Sequence, residues 1–112
     1  MFWEDESTEV TAAGSMARLT AIKSWVDDTR RQGVRLHGSS LRSARDAKFV
    51  AVRNDTTLVT DGPFAETKEQ IVGYDVLDCQ DLAAAVNVAA AHTLAKTGKV
   101  EVRPLGSFPG DA

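Results

Sequence analysis

Polar and apolar side chains alternate along two short stretches of this chain, and that alternation limits what it can fold into. In residues 34–39, Val34 and Leu36 fall in one phase and Arg35, His37 and Ser39 in the other. In residues 99–105, Val100 and Val102 oppose Glu101 and Arg103. A period of two belongs to a β-strand, whose successive side chains point to opposite faces. Such strands build a sheet with one apolar face to be covered and one polar face. Residues 47–53 carry apolar groups in both phases, Phe49 and Ala51 against Val50 and Val52, which predicts an interior strand covered on both sides.

Around these strands the period changes to that of a helix. From residue 10 to 32, Ala12, Met16, Leu19, Ile22 and Val26 recur at spacings of three and four, with Trp25 widening the stripe and Gly33 as the stop. A second helix is predicted over residues 81–96, with a slim stripe of Leu82, Val86, Ala89, Ala90 and Leu94 ended by Gly98. His92 on it is expected to be exposed near the C-terminal dipole end. Asn54-Asp55 reads as a tight hairpin turn into residues 56–60. Residues 65–70 amount to a helical turn, 71–79 to another strand, and Met1-Phe2-Trp3 to the tail of a first strand.

The order strand, helix, strands, helix, strand suits an α+β, ferredoxin-like split-βαβ layout with both helices on one sheet face. Residues 1–105 form one domain and 106–112 a Gly/Pro-containing tail. Arg35, His37, Glu101 and Arg103 are then expected together on the face away from the helices. The apolar phases of residues 47–53 call for cover on both sides. A second copy laid face to face supplies it and encloses a polar-lined cavity.

Bulk properties narrow the function classes. At 112 residues a chain leaves much of its surface uncovered, so a homodimer is a natural supplement. The net charge of −3, with basic residues scattered, argues against nucleic acid as a partner. One cysteine, Cys79, leaves no internal disulfide or paired-cysteine zinc site, and a reducing, cytoplasmic setting is expected. The start lacks a secretory pattern and no apolar run approaches membrane-span length. No phosphate loop, dinucleotide fingerprint or nucleophile elbow is present, so no cofactor is expected, and His37 and His92 lack metal-ligand spacing.

The run Thr57-Leu58-Val59-Thr60-Asp61-Gly62-Pro63-Phe64-Ala65-Glu66-Thr67-Lys68-Glu69, with Gly73-Tyr74 and the closing Val100-Glu101-Val102-Arg103-Pro104, resembles the DGPF branch of the YCII-related family. The resemblance covers residues 34–105 and implies ferredoxin-like subunits that pair into a dimeric α+β barrel. It also implies a His–Asp pair in a cleft, relatives that process small ring compounds, and genes beside alternative sigma factors. The family's aspartate falls on Asp61. Its histidine belongs near the first helix, and residues 9–31 hold none here.

Two groups of residues are candidates for chemistry. An aspartate fixed at a strand end by a Gly-Pro turn suits a general base, although Asp61 equally suits a turn that bonds its own backbone. His37 titrates near neutrality and is expected to stand in for the missing histidine, with Asp61 or Asp75 as its acid; the plain alternative is a solvent-facing strand residue. Arg35 and Arg103 with Glu101 suit the binding of a carboxylate or other planar anion, or else an internal salt-bridge network. Two readings follow: an enzyme acting by proton transfer on a small anionic or cyclic metabolite, and a non-catalytic small-molecule-binding or regulatory domain.

Overall fold

The computed structural model describes residues 1–5, 12–62 and 69–106. The Pro63 to Lys68 part of the resemblance run, and residues 107–112 of the tail, lie outside the described residues. The elements in chain order are β1 (Phe2–Asp5), α1 (Ala12–Arg31), β2 (Arg35–Ser40), β3 (Lys48–Arg53), β4 (Thr56–Asp61), β5 (Glu69–Leu77), α2 (Leu82–Ala90), α3 (Leu94–Thr97) and β6 (Lys99–Val100). Four strands form an antiparallel sheet in the order β2-β5-β1-β6, and β3 and β4 form a separate antiparallel ribbon. This is an α+β arrangement compatible with a ferredoxin-like layout, with the ribbon inserted between β2 and β5. No helix among the described residues is long and apolar enough to cross a membrane.

Turn chemistry follows the sequence closely. Asn54 and Asp55 both take positive φ, 51° and 63°, as a two-residue hairpin turn requires. Gly33 ends α1 at φ 72°, which lets its N–H reach back to the Arg30 carbonyl at 3.0 Å. Asp81 caps α2, its carboxylate accepting from the Ala84 N–H at 2.8 Å.

Helix rotation departs from the apolar stripes. Trp25 and Thr29 are the buried residues of α1, whereas Met16 and Leu19 are exposed. The turn of the helix is set by polar anchors: Arg18 reaches Glu4 on β1 at 2.6 Å, and the Trp25 indole N–H donates to the Val88 carbonyl at 2.9 Å. On α2 the buried position is Ala89, while Leu82 and Val86 are exposed.

The predicted second helix is two helices. His92 is buried rather than exposed, with 3% of its surface accessible. Its ring lies 4.4 Å from that of Phe2 and 4.7 Å edge-on from that of Trp25. Its Nδ1 accepts from the Leu94 N–H at 3.0 Å, which interrupts the helical ladder between α2 and α3. Packing of an aromatic imidazole thus outweighs helix continuity. The apolar core consists of Phe2, Trp25, Ala89 and Leu94.

Two further expectations are corrected. Residues 48–53 are not an interior strand: among the described residues β3 pairs with β4 alone, and Phe49, Val50, Val52, Leu58 and Val59 are exposed. Leu36 is exposed rather than packed under the helices. The last strand is short, Lys99–Val100, although mutual backbone bonds between Met1 and Glu101 carry the pairing one residue further.

Candidate functional site

The face of each strand can be followed residue by residue. The Phe2 ring packs on that of His92, which also meets Trp25 of α1, so its face is the one the helices cover. Gly73 is its partner on β5, and a side chain at Gly73 would meet the Phe2 ring at 3.5 Å. Asp75, two residues on, shares that face. A side chain at Gly38 would run into the Asp75 carboxylate and the Arg35 guanidinium, so all three sit on the helix side.

A register shift between Arg35 and His37 separates these two residues. Arg35 is opposite Leu77, His37 opposite Val76, so one residue more lies on β2 than on β5 over that step. An extra residue reverses the phase of everything beyond it. The expectation that Arg35 and His37 share the polar face is therefore corrected: Arg35 points under the helices and His37 away from them. Alternation alone carries no sign of a bulge.

Arg35 Nε donates to Asp75 Oδ1 at 3.0 Å. Burial holds the Asp75 carboxyl above its usual value, against the opposing pull of the Arg35 guanidinium, the amino terminus and His37. His92 is pushed down to about 4 by burial, reinforced by the positive charge of Arg18, and is neutral at pH 7.

On the face without helices, His37 Nε2 and the Tyr74 hydroxyl lie 2.7 Å apart, with the rings edge to face at 5.4 Å between centroids. Tyr74 is paired with Ser39 across the ladder, one step from His37. The cross-strand diagonal that brings it to His37 follows from the register. Farther across the same face, the Trp3 indole N–H donates to Glu101 at 3.2 Å, and Arg103 pairs with Glu101. Of the internal network expected between Glu101 and the two arginines, the Arg103 pair forms, with Arg103 largely exposed, while Arg35 goes to Asp75.

Asp61 ends β4, is mostly exposed, and is paired with Lys48 across the ribbon. His37 meets a tyrosine hydroxyl rather than the Asp61 carboxylate. Four of the five candidates thus fall into three groups, His37 with Tyr74, Glu101 with Arg103, and Arg35 with Asp75, and the fifth, Asp61, stands apart on the ribbon. A cavity of about 750 Å³ touches all three groups through Tyr74, Asp75, Glu101 and Arg103, and its wall is otherwise mainly apolar, including Phe2 and Trp25.

The chain is 47% identical over 58 residues to an uncharacterized protein of Rhizobium meliloti (strain 1021), an alignment covering 49% of this chain and 47% of the relative. The chain thus spans about half the length of the curated relative it matches. The family model for the YCII-related domain matches residues 7–109, nearly the whole chain, and the protein belongs to the YCII-related domain family.

Proposed function

We propose that the protein works as a face-to-face homodimer that binds a small anionic or cyclic molecule between the two sheets, with His37 and Tyr74 exchanging a proton with it. The observation that carries this reading is the 2.7 Å contact between His37 and Tyr74 on the sheet face that no helix of the described residues covers. An imidazole held against a phenol pairs a ring nitrogen that can accept a proton with a hydroxyl that can donate one. Arg103, tied to Glu101 on the same face, offers guanidinium N–H groups to a carboxylate. Asp61 on the exposed ribbon is the carboxylate that a partner subunit would have to bring to the couple.

The shape supports a partner. The Cα radius of gyration is 16.8 Å, against about 13 Å expected for a compact chain of this length. A ribbon of only two strands is marginal alone in water, and β3–β4 exposes apolar groups on both faces. Both features are relieved when a second copy packs on the sheet.

Light scattering gives the mass in solution, and a monomer at micromolar concentration overturns the dimer. Turnover of a panel of aliphatic and aromatic carboxylates then tests the chemistry in wild type, Tyr74→Phe and His37→Ala. Loss of turnover in both variants with binding retained supports proton transfer. Binding without turnover supports the second reading, a small-molecule-binding or regulatory domain. That reading is favoured by the engagement of Asp61 with Lys48 rather than with His37.

A further inference from the structure

A second, smaller cleft lies at the other end of the sheet, on the face that α1 covers. Glu4 of β1 stands opposite Gln70 of β5, so their side chains share a face, and the bond from Arg18 of α1 to Glu4 puts that face under the helix. Counted from Gly73 by strict alternation, Gln70 would face the other way. Phe2 is opposite Gly73 but Trp3 is opposite Ile71, so β5 carries one residue more than β1 over that step, and the bulge turns Gln70 inward. Gln70 is 8% exposed, and its Nε2 has no hydrogen-bond partner among the described residues. It lines a cleft of about 250 Å³ together with Glu4, Asp5, Arg18, Arg42 and Ser43. A buried donor left unmet lowers stability, and a fold that keeps one beside a cleft has it met by what enters. The final torsion of a glutamine side chain is broad, so the amide turns toward an acceptor there at little cost.

We infer that this cleft binds a zwitterionic amino acid with a small side chain, whose carboxylate accepts the Gln70 Nε2 N–H. Its volume is below the range of about 300 to 1,000 Å³ that drug-sized ligands occupy, and suits a molecule of few atoms. Arg18 spends Nη2 on Glu4 at 2.6 Å and Arg42 spends Nε on Asp46 at 3.1 Å, so each guanidinium keeps N–H groups for a carboxylate. Ser43 Oγ accepts from the Arg45 N–H at 3.2 Å, which leaves the hydroxyl hydrogen to donate. Acids share the same wall: among the described residues Glu4 and Asp5 balance Arg18 and Arg42. A bare anion is attracted by one pair and repelled by the other. A molecule that carries an ammonium beside its carboxylate answers both, with the ammonium toward the Glu4 oxygen that Arg18 does not take. The site lies on the opposite face from His37 and Tyr74 and does not depend on the dimer.

The probes are glycine, L-alanine and L-serine, titrated into the full chain while the Gln70 side-chain amide resonance is followed by NMR; Gln70→Met identifies that resonance by removing it. A saturable shift is expected with at least one of them, at a Kd of about 10 mM or tighter. Propionate and ethylamine, each lacking one of the two charges of alanine, are expected to bind at least about tenfold more weakly. Backbone amide shifts report binding in the variants. Gln70→Met, its fold verified by circular dichroism, is expected to lose the binding, and Arg42→Met, at the exposed rim, to weaken it several-fold. No saturable shift from any of the three probes up to about 10 mM overturns the proposal, as does binding that Gln70→Met leaves unchanged. Propionate or ethylamine binding as tightly as L-alanine also overturns it, because one half of the charged wall is then idle.

Discussion

Arg35 Nε lies 3.0 Å from Asp75 Oδ1 across the β2–β5 ladder, with about a tenth of each side chain exposed, 11% and 9%. Breaking such a pair from one side strands a charge where water hardly reaches. Arg35→Met is expected to cost about 3 kcal/mol, and the double variant Arg35→Met/Asp75→Leu distinctly less, because nothing charged is left behind. Urea unfolding of the two variants reads the difference; equal losses contradict it.

The same pair has a pH signature. Desolvation leaves the folded Asp75 carboxyl above its ordinary value of 3.8 despite the guanidinium. A raised carboxyl contributes stability that is present below pH 3.8 and lost as pH rises through the folded value. The stability of wild type relative to Asp75→Asn is therefore expected to fall over that acid window and then level. Unfolding midpoints measured at a series of pH values check this, and a difference that rises with pH contradicts it.

His92 has the opposite dependence. Its folded value of about 4, against 6.5 unfolded, means that the native state holds a neutral ring among Phe2, Trp25 and Leu94. Stability from this group is present above pH 6.5 and lost as pH falls from 6.5 toward 4, up to about 3 kcal/mol in all. His92→Phe is expected to lower stability at pH 7, through the lost bond to the Leu94 N–H, yet to flatten the slope between pH 6.5 and 4. An unchanged slope contradicts the assignment.

Gly38 has no room for a methyl group. A Cβ there would stand 1.6 Å from Asp75 Oδ1 and 2.7 Å from Arg35 Nη2. Gly38→Ala is expected to force the ion pair apart and cost about 2 kcal/mol or more, read as a lowered Tm. Gly106→Ala, with nothing near its added carbon, is the control.

Gln70 on β5 is buried, and its Nε2 has no hydrogen-bond partner among the described residues. Gln70→Met keeps the length and removes the unmet donor. It is expected to raise stability by about 1 kcal/mol in thermal unfolding. A loss of similar size contradicts the prediction.

Local chemistry was legible in the residues themselves. The hairpin at Asn54-Asp55 and the stop at Gly33 depend on neighbours within a few positions, and both are in the structure, as is the strand-helix order apart from the split second helix. The pairing of Glu101 with Arg103 is also local, two residues apart on one face. Decisions that depend on distant parts of the chain were not legible. The rotation of α1 is set by Glu4 and Val88 rather than by its own apolar stripe. The break between α2 and α3 exists because Phe2 and Trp25 receive the His92 ring. One bulge on β2 sends Arg35 to Asp75 and leaves His37 to Tyr74. The sequence by itself determined which segments are strands and helices and which residues can carry charge or protons, because propensity and side-chain period are properties of a short window. Only the tertiary structure decided which of those residues meet, because a single extra residue in one ladder inverts every side chain beyond it, and register is settled between strands rather than within one.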